Sequence, residues 1–97
     1  MKILAFVPVL MDRSRFPRGA DVTFVRSVDE ITADVDLIIV DLNRDGALDA
    51  IENLSDVRRI GFTNHENTEL IQRANAAGIE AMARSRFFSQ IAIIVNG

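Results

Sequence analysis

Five short apolar blocks run along the chain, separated by stretches in which apolar residues recur every three or four positions. The most uniform block is Leu37-Ile38-Ile39-Val40, bounded by Asp36 and Asp41. A run that short, apolar at every position, suits a strand buried on both faces, as in a parallel sheet covered by helices. Lys2 to Val7 predicts a first strand, ended by Pro8, which has no N–H to give to a ladder. Asp21 to Val25 predicts a second strand, and Val57 to Phe62 and Ile79 to Ala83 a fourth and a fifth.

The intervening segments carry helix signals. Met11 to Phe16 allows one or two helical turns before Pro17 and Gly19 break the chain. Ser27 and Glu30 have capping-box spacing around a short helix holding Val28 and Ile31. Asn43, Asp45 and Gly46 make a turn, and Leu48, Ile51 and Leu54 then recur at helical spacing with Asp49 and Glu52 on the solvent side. Thr63 to Asn67 is a polar loop, with Asn67 as N-cap of a helix lined by Leu70, Ile71, Ala74 and Ala77. Gly78 suits the position after that helix. Ser85 is expected to cap a last helix carrying Phe88, Ile91, Ala92 and Val95.

Strands alternating with helical segments predict one α/β domain over residues 1–97, a three-layer sandwich with right-handed crossovers. The expected strand order is 2-1-3-4-5, the flavodoxin-like order. Asp41 then stands at the carboxyl end of the central strand, where ligands collect in such sheets.

Composition narrows the chemistry. Eleven Lys and Arg against fourteen Asp and Glu leave a net charge of −3, with no basic excess to attract nucleic acid or an anionic membrane. The absence of cysteine excludes disulfides, thiolate metal sites and a cysteine nucleophile. A single histidine, His65, excludes an all-histidine metal site within one chain. The run Ile3 to Met11 follows one lysine, as in a signal peptide, but it contains Pro8 and leads into Asp12 and Arg13 without a small-residue cleavage site. It reads as a buried strand of a cytoplasmic protein, and no stretch is long enough to span a bilayer. Asn43, Asp45 and Gly46 begin like a calcium loop, but the remaining ligand pattern is missing, so they read as a turn and helix cap.

Across nearly its whole length the chain resembles a response-regulator receiver domain. The likeness rests on Asp36 to Leu42, on Arg59-Ile60-Gly61-Phe62-Thr63-Asn64-His65, on Ala76-Ala77-Gly78 and on Ala83-Arg84-Ser85. It implies that Asp41 holds the place of the phosphoryl acceptor. Two acidic residues after the first strand would hold Mg²⁺, but their places fall at about Pro8 and Val9, which cannot ligate a hard cation. Thr63 or Asn64 ends strand four, and Arg84 stands where receivers carry a lysine.

Phosphoryl transfer depends on neutralising the transferring oxygens with metal and cations. The resemblance therefore implies a pseudo-receiver: a stand-alone regulatory module acting through protein–protein contact, with neither enzymatic activity nor a cofactor. Two alternatives stay open. One is a phosphorylatable receiver using Asp41 with Mg²⁺. The other is a binder of a small anion or metabolite at the strand ends, drawing on Thr63, Asn64, His65 and Arg84, with Arg13, Arg15, Arg18 and Arg86 at the rim.

Two physical expectations follow. Arg84 should fork onto Asp41 in place of the metal. The crossover from Val9 to Asp21 has only about a dozen residues, near the minimum for a parallel connection, and includes Pro17 and Gly19. A stunted first helix should leave an uncovered face bordered by Met11, Phe16 and the last helix, to be covered by a partner, most simply a second copy of the chain.

Overall fold

The structure, a computed structural model, describes residues 1–96. Strands β1 (Lys2–Phe6), β2 (Asp21–Phe24), β3 (Leu37–Asp41), β4 (Arg58–Thr63) and β5 (Glu80–Ala83) form one all-parallel sheet in the order β2-β1-β3-β4-β5. This is the order that the apolar pattern predicts, and the fold is flavodoxin-like. Every residue of β3 is buried, because it lies in the middle of the sheet with apolar layers on both sides.

Alternation along the strands splits the core in two. Ile3, Ala5, Val7, Leu37, Ile39, Ile60 and Phe62 face α4 (Arg84–Asn96). Leu4, Phe6, Ile38 and Val40 face α2 (Ala47–Ile51) and α3 (Thr68–Ala76). Gly61 lies on this second face under Leu42. A Cβ there would come within 2.5 Å of the Leu42 side chain, so the residue must be glycine for Leu42 to close over the sheet.

Several helix ends depart from the sequence reading. The helix expected through Leu54 stops at Ile51, and Arg59 explains the stop. This buried strand residue donates from Nη1 to the carbonyls of Ile51 and Glu52 and from Nη2 to that of Ala77. One guanidinium thus satisfies the last carbonyls of two helices. Beyond α3, Ile79 N donates to Ala74 O and Gly78 N to Asn75 O, with Gly78 at φ +84°. That is the glycine stop the sequence predicts. The capping-box segment forms only a 3₁₀ turn, Val28–Glu30, with the Glu30 carboxylate accepting from the N–H groups of Arg26 and Ser27. Asn67 is the N-cap of α3 but makes no side-chain capping bond. Arg84, rather than Ser85, opens α4, which follows β5 without a loop.

The first crossover is as short as expected: α1 (Leu10–Arg13) has four residues. The expected gap beneath it is not left open. Phe16 is only 9% exposed and fills the space a longer helix would occupy. Its ring lies 5.1 Å from Phe24, 6.2 Å from Phe87 and 6.5 Å from Phe88. Phe62 stacks on Phe87 at 4.8 Å, so five of the six phenylalanines form one cluster between sheet and α4. Met11, in α1, is exposed. No helix among the described residues is long and apolar enough to cross a membrane.

Two outcomes test this packing. Phe16→Ala should lower the unfolding free energy by about 3–4 kcal/mol in urea denaturation, and a loss below about 1 kcal/mol would mean that the crossover is not pinned by this ring. The second concerns Arg58 and Glu80, which join β4 to the edge strand β5 at 2.7 and 3.0 Å. The arginine holds the Glu80 carboxyl below its usual value. Its stabilisation is therefore present above the unfolded carboxyl pKa of about 4.3 and is lost as pH falls through the lower folded value. Because the pair is half exposed, Glu80→Gln should cost under about 1 kcal/mol at neutral pH. The difference from the unsubstituted chain should shrink as pH falls below the unfolded carboxyl value and vanish once Glu80 is protonated in the folded chain too.

Candidate functional site

Four elements bring polar side chains to the carboxyl ends of the strands. β3 ends in Asp41, which is 3% exposed, and β4 ends in Thr63, which is fully buried. The register pairs Asp41 with Phe62 and Thr63 with Ala83. Thr63, not Asn64, is thus the strand-four terminus, and Asn64 and His65 lie exposed in the loop beyond it. Thr63 Oγ1 donates to Asn43 Oδ1 at 2.6 Å, and the Asn43 N–H donates to Asp41 Oδ1 at 3.0 Å. A single asparagine in the turn therefore links the ends of the two central strands.

Arg84 does not bond Asp41. Its fork closes on Asp12, with Nη1 donating to Oδ2 at 2.6 Å and Nη2 donating to Oδ1. Asp12 is fully buried and Arg84 is about two-fifths exposed at its side chain. The hydrogen bonds that Arg84 donates to Asp12 raise the Arg84 pKa, and the charge of Asp41 adds to this. Asp41 lies close enough to be felt electrostatically while its own ion pair is with Arg44, at 3.5 Å. The expected Asp41–Arg84 pairing is thus corrected to Asp12–Arg84 and Asp41–Arg44. The physical reason is access. Asp12 is carried inward on α1 to meet the first residue of α4, and its burial without a cation would be far costlier than that of a rim carboxylate.

Asp12 is the site residue that the sequence reading missed. The apolar residues of α1 point the wrong way for the usual pattern: Leu10 and Met11 are 73% and 78% exposed, while Asp12 and Phe16, four apart, face inward. The one available signal was a lone carboxylate one turn after an apolar strand, opposite an arginine that opens the last helix.

The rim arginines do not converge on one point. Arg13 donates from Nε to Val7 O at 2.7 Å and lies over Phe24, whereas Arg15 lies over Phe88 at 4.2 Å. Arg84 lies between the Phe62 and Phe88 rings at 5.9 and 5.2 Å. His65 is paired at 3.8 Å only with its neighbour Glu66, on the open surface. A depression of about 300 Å³ opens beside Asn43 and Arg44, between the β3–α2 loop and the start of α3.

No family model matches the chain, and neither a curated protein nor a solved structure matches it.

The two ion pairs differ in burial, and their removal should differ accordingly. Arg84→Met leaves the Asp12 carboxylate buried and uncompensated, and should cost about 3–5 kcal/mol. Arg44→Met removes a cation that is nearly half exposed, and should cost under about 1 kcal/mol. Equal losses in urea unfolding would contradict the assignment of partners.

Proposed function

We propose that this chain is a receiver-like regulatory module that acts by protein–protein contact and does not transfer phosphoryl groups. The observation carrying this reading is that both strand-end carboxylates are engaged by the chain's own cations. Arg84 takes both oxygens of Asp12, and Asp41 is held by Arg44 and the Asn43 N–H. The Mg²⁺ that the resemblance implies does not fit this donor set. A hard cation of that kind wants carboxylate and other oxygen ligands in octahedral array. The oxygens of Asp12 face a guanidinium, and no group of three or more His, Cys, Asp or Glu among the described residues could hold a metal ion. Thr63, whose place would serve a phosphoryl oxygen, already gives its hydroxyl proton to Asn43.

A second reading has one observation in its favour. Asp12 and Asp41 both act on Arg84, so one carboxylate, Asp12, does stand near the acceptor position Asp41, one turn later in the chain than Pro8 and Val9. On that reading Asp41 is a phosphoacceptor once Arg84 swings away. The two are separated by adding Mg²⁺ with beryllofluoride, a phosphoryl mimic, to ¹⁵N-labelled protein. The interaction-module reading predicts unchanged amide shifts at Asp41, Asn43 and Thr63. Saturable shifts at these three residues would replace it with the phosphorylatable receiver.

A further inference from the structure

The whole-chain charge of −3 conceals a division between the two helical layers. Segments 8–20 and 84–96 carry five arginines and, of the fourteen Asp and Glu, only Asp12, for a net +4 that leaves −7 elsewhere. Asp12 is buried against Arg84, so these two segments expose no carboxylate. Arg15, Arg18 and Arg86 are exposed and Arg13 is half-buried. None of the four has a carboxylate within ion-pair distance among the described residues. Of the five large apolar side chains exposed among the described residues, four fall in the same segments: Val9, Leu10, Met11 and Ile93. Both segments pack through Phe16, Phe87 and Phe88 on one face of the sheet, so their outer sides turn the same way.

The two outer sides share a pattern. In the turn of α1, Asp12 and Phe16 face the core, so Leu10 points away from it, with Met11 and Arg13 to either side. Arg13 leans over Phe24 on one flank, at 5.3 Å, and Arg15 over Phe88 on the other, at 4.2 Å. The apolar tip, 73% and 78% exposed at Leu10 and Met11, thus stands between two cations. Its base is fixed by the Arg84–Asp12 fork, by Arg13 Nε on Val7 O and by the buried Phe16 ring, so little freedom is lost when it docks. Along α4, Arg86, Ser89 and Ile93 recur at helical spacing on the exposed side. Exposed aliphatic side chains beside unpaired cations are the two signals that together hold a protein on an anionic bilayer. A protein partner would need shaped seats for a tip and for a helix side, whereas a fluid bilayer needs only charge and hydrocarbon. Nucleic acid is not favoured, because the rings beneath Arg15 and Arg84, Phe88 and Phe62, are buried and give bases nothing to stack on.

We propose that the α1–α4 face binds the surface of an anionic lipid bilayer, with Leu10 and Met11 entering the acyl boundary and Arg13, Arg15, Arg18 and Arg86 meeting the lipid headgroups. The acidic remainder of the chain then faces water, so the division of charge also orients the molecule. This goes beyond the protein-contact reading and does not depend on it.

The test is co-sedimentation of the full chain with vesicles of phosphatidylcholine, alone or with about 30% phosphatidylserine. Binding should require the anionic lipid and should be lost as NaCl is raised from about 0.05 to 0.5 M, because the facing charges are screened. The double variant Leu10→Asp/Met11→Asp changes only exposed side chains. It should bind at least about ten-fold more weakly with its circular dichroism spectrum unchanged. Arg18→Gln/Arg86→Gln should also weaken binding at least about ten-fold, since each arginine near the surface contributes roughly five-fold. Arg44→Gln/Arg73→Gln removes equal charge from the α2–α3 side and should change the affinity less than about three-fold. No binding to the anionic vesicles, equal binding to both lipids, or equal effects of the two arginine pairs would overturn the proposal. Binding to polyglutamate in place of vesicles would overturn it too, and would assign the face to an acidic protein. The behaviour of Asp41 toward beryllofluoride would be untouched by either failure, so the two readings fall separately.

Discussion

The arginine fork between Arg84 and Asp12 is the contact on which the strand-end geometry depends. It joins residues 72 apart in sequence, the first helical turn and the start of the last helix. A four-residue helix cannot hold itself in water, since helix nucleation alone costs more than one turn returns. α1 therefore exists because something else fixes it, and that is the pair of inward side chains, Asp12 and Phe16. The carboxylate makes α1 answer to α4, and the ring makes it answer to the sheet.

The same fork determines what the strand ends can do. In a flavodoxin-like sheet this edge is where chemistry is usually placed, and here the polar groups on it are turned toward one another. Asp12 and Arg84, Asp41 and Arg44, and Thr63 and Asn43 make three pairs, each at the end of a different strand or in the loop that follows it. Such a set stiffens a rim.

Much of the fold was legible in the sequence, for a reason visible in β3. Leu37 to Val40 is apolar at every position, and only a doubly covered strand demands that. The order of the strands then follows from short right-handed connections. Gly78 announced the end of α3 because few other residues tolerate its positive φ. The candidate site was legible at Asp41 and Arg84, and at strand four only as Thr63 or Asn64, because these places are set by strand ends. Asp12 was hidden because the pattern of α1 is inverted, with leucine and methionine outside and a carboxylate inside. Periodicity reports which face is apolar, and here a distant arginine overrides it. The role of Arg59 was hidden likewise, since a strand residue that caps two helices leaves no local signature.

The strand-end arrangement depends on Asp12 and Arg84 acting as a pair. A double-mutant cycle with Asp12→Asn and Arg84→Gln, read by urea unfolding at neutral pH, measures this directly. Genuine pairing predicts that the double variant loses less stability than the two single losses together, by a coupling of about 2 kcal/mol or more. Additive losses, with coupling within about 0.5 kcal/mol of zero, would show that the two side chains do not hold each other, and the strand-end arrangement described here would be contradicted.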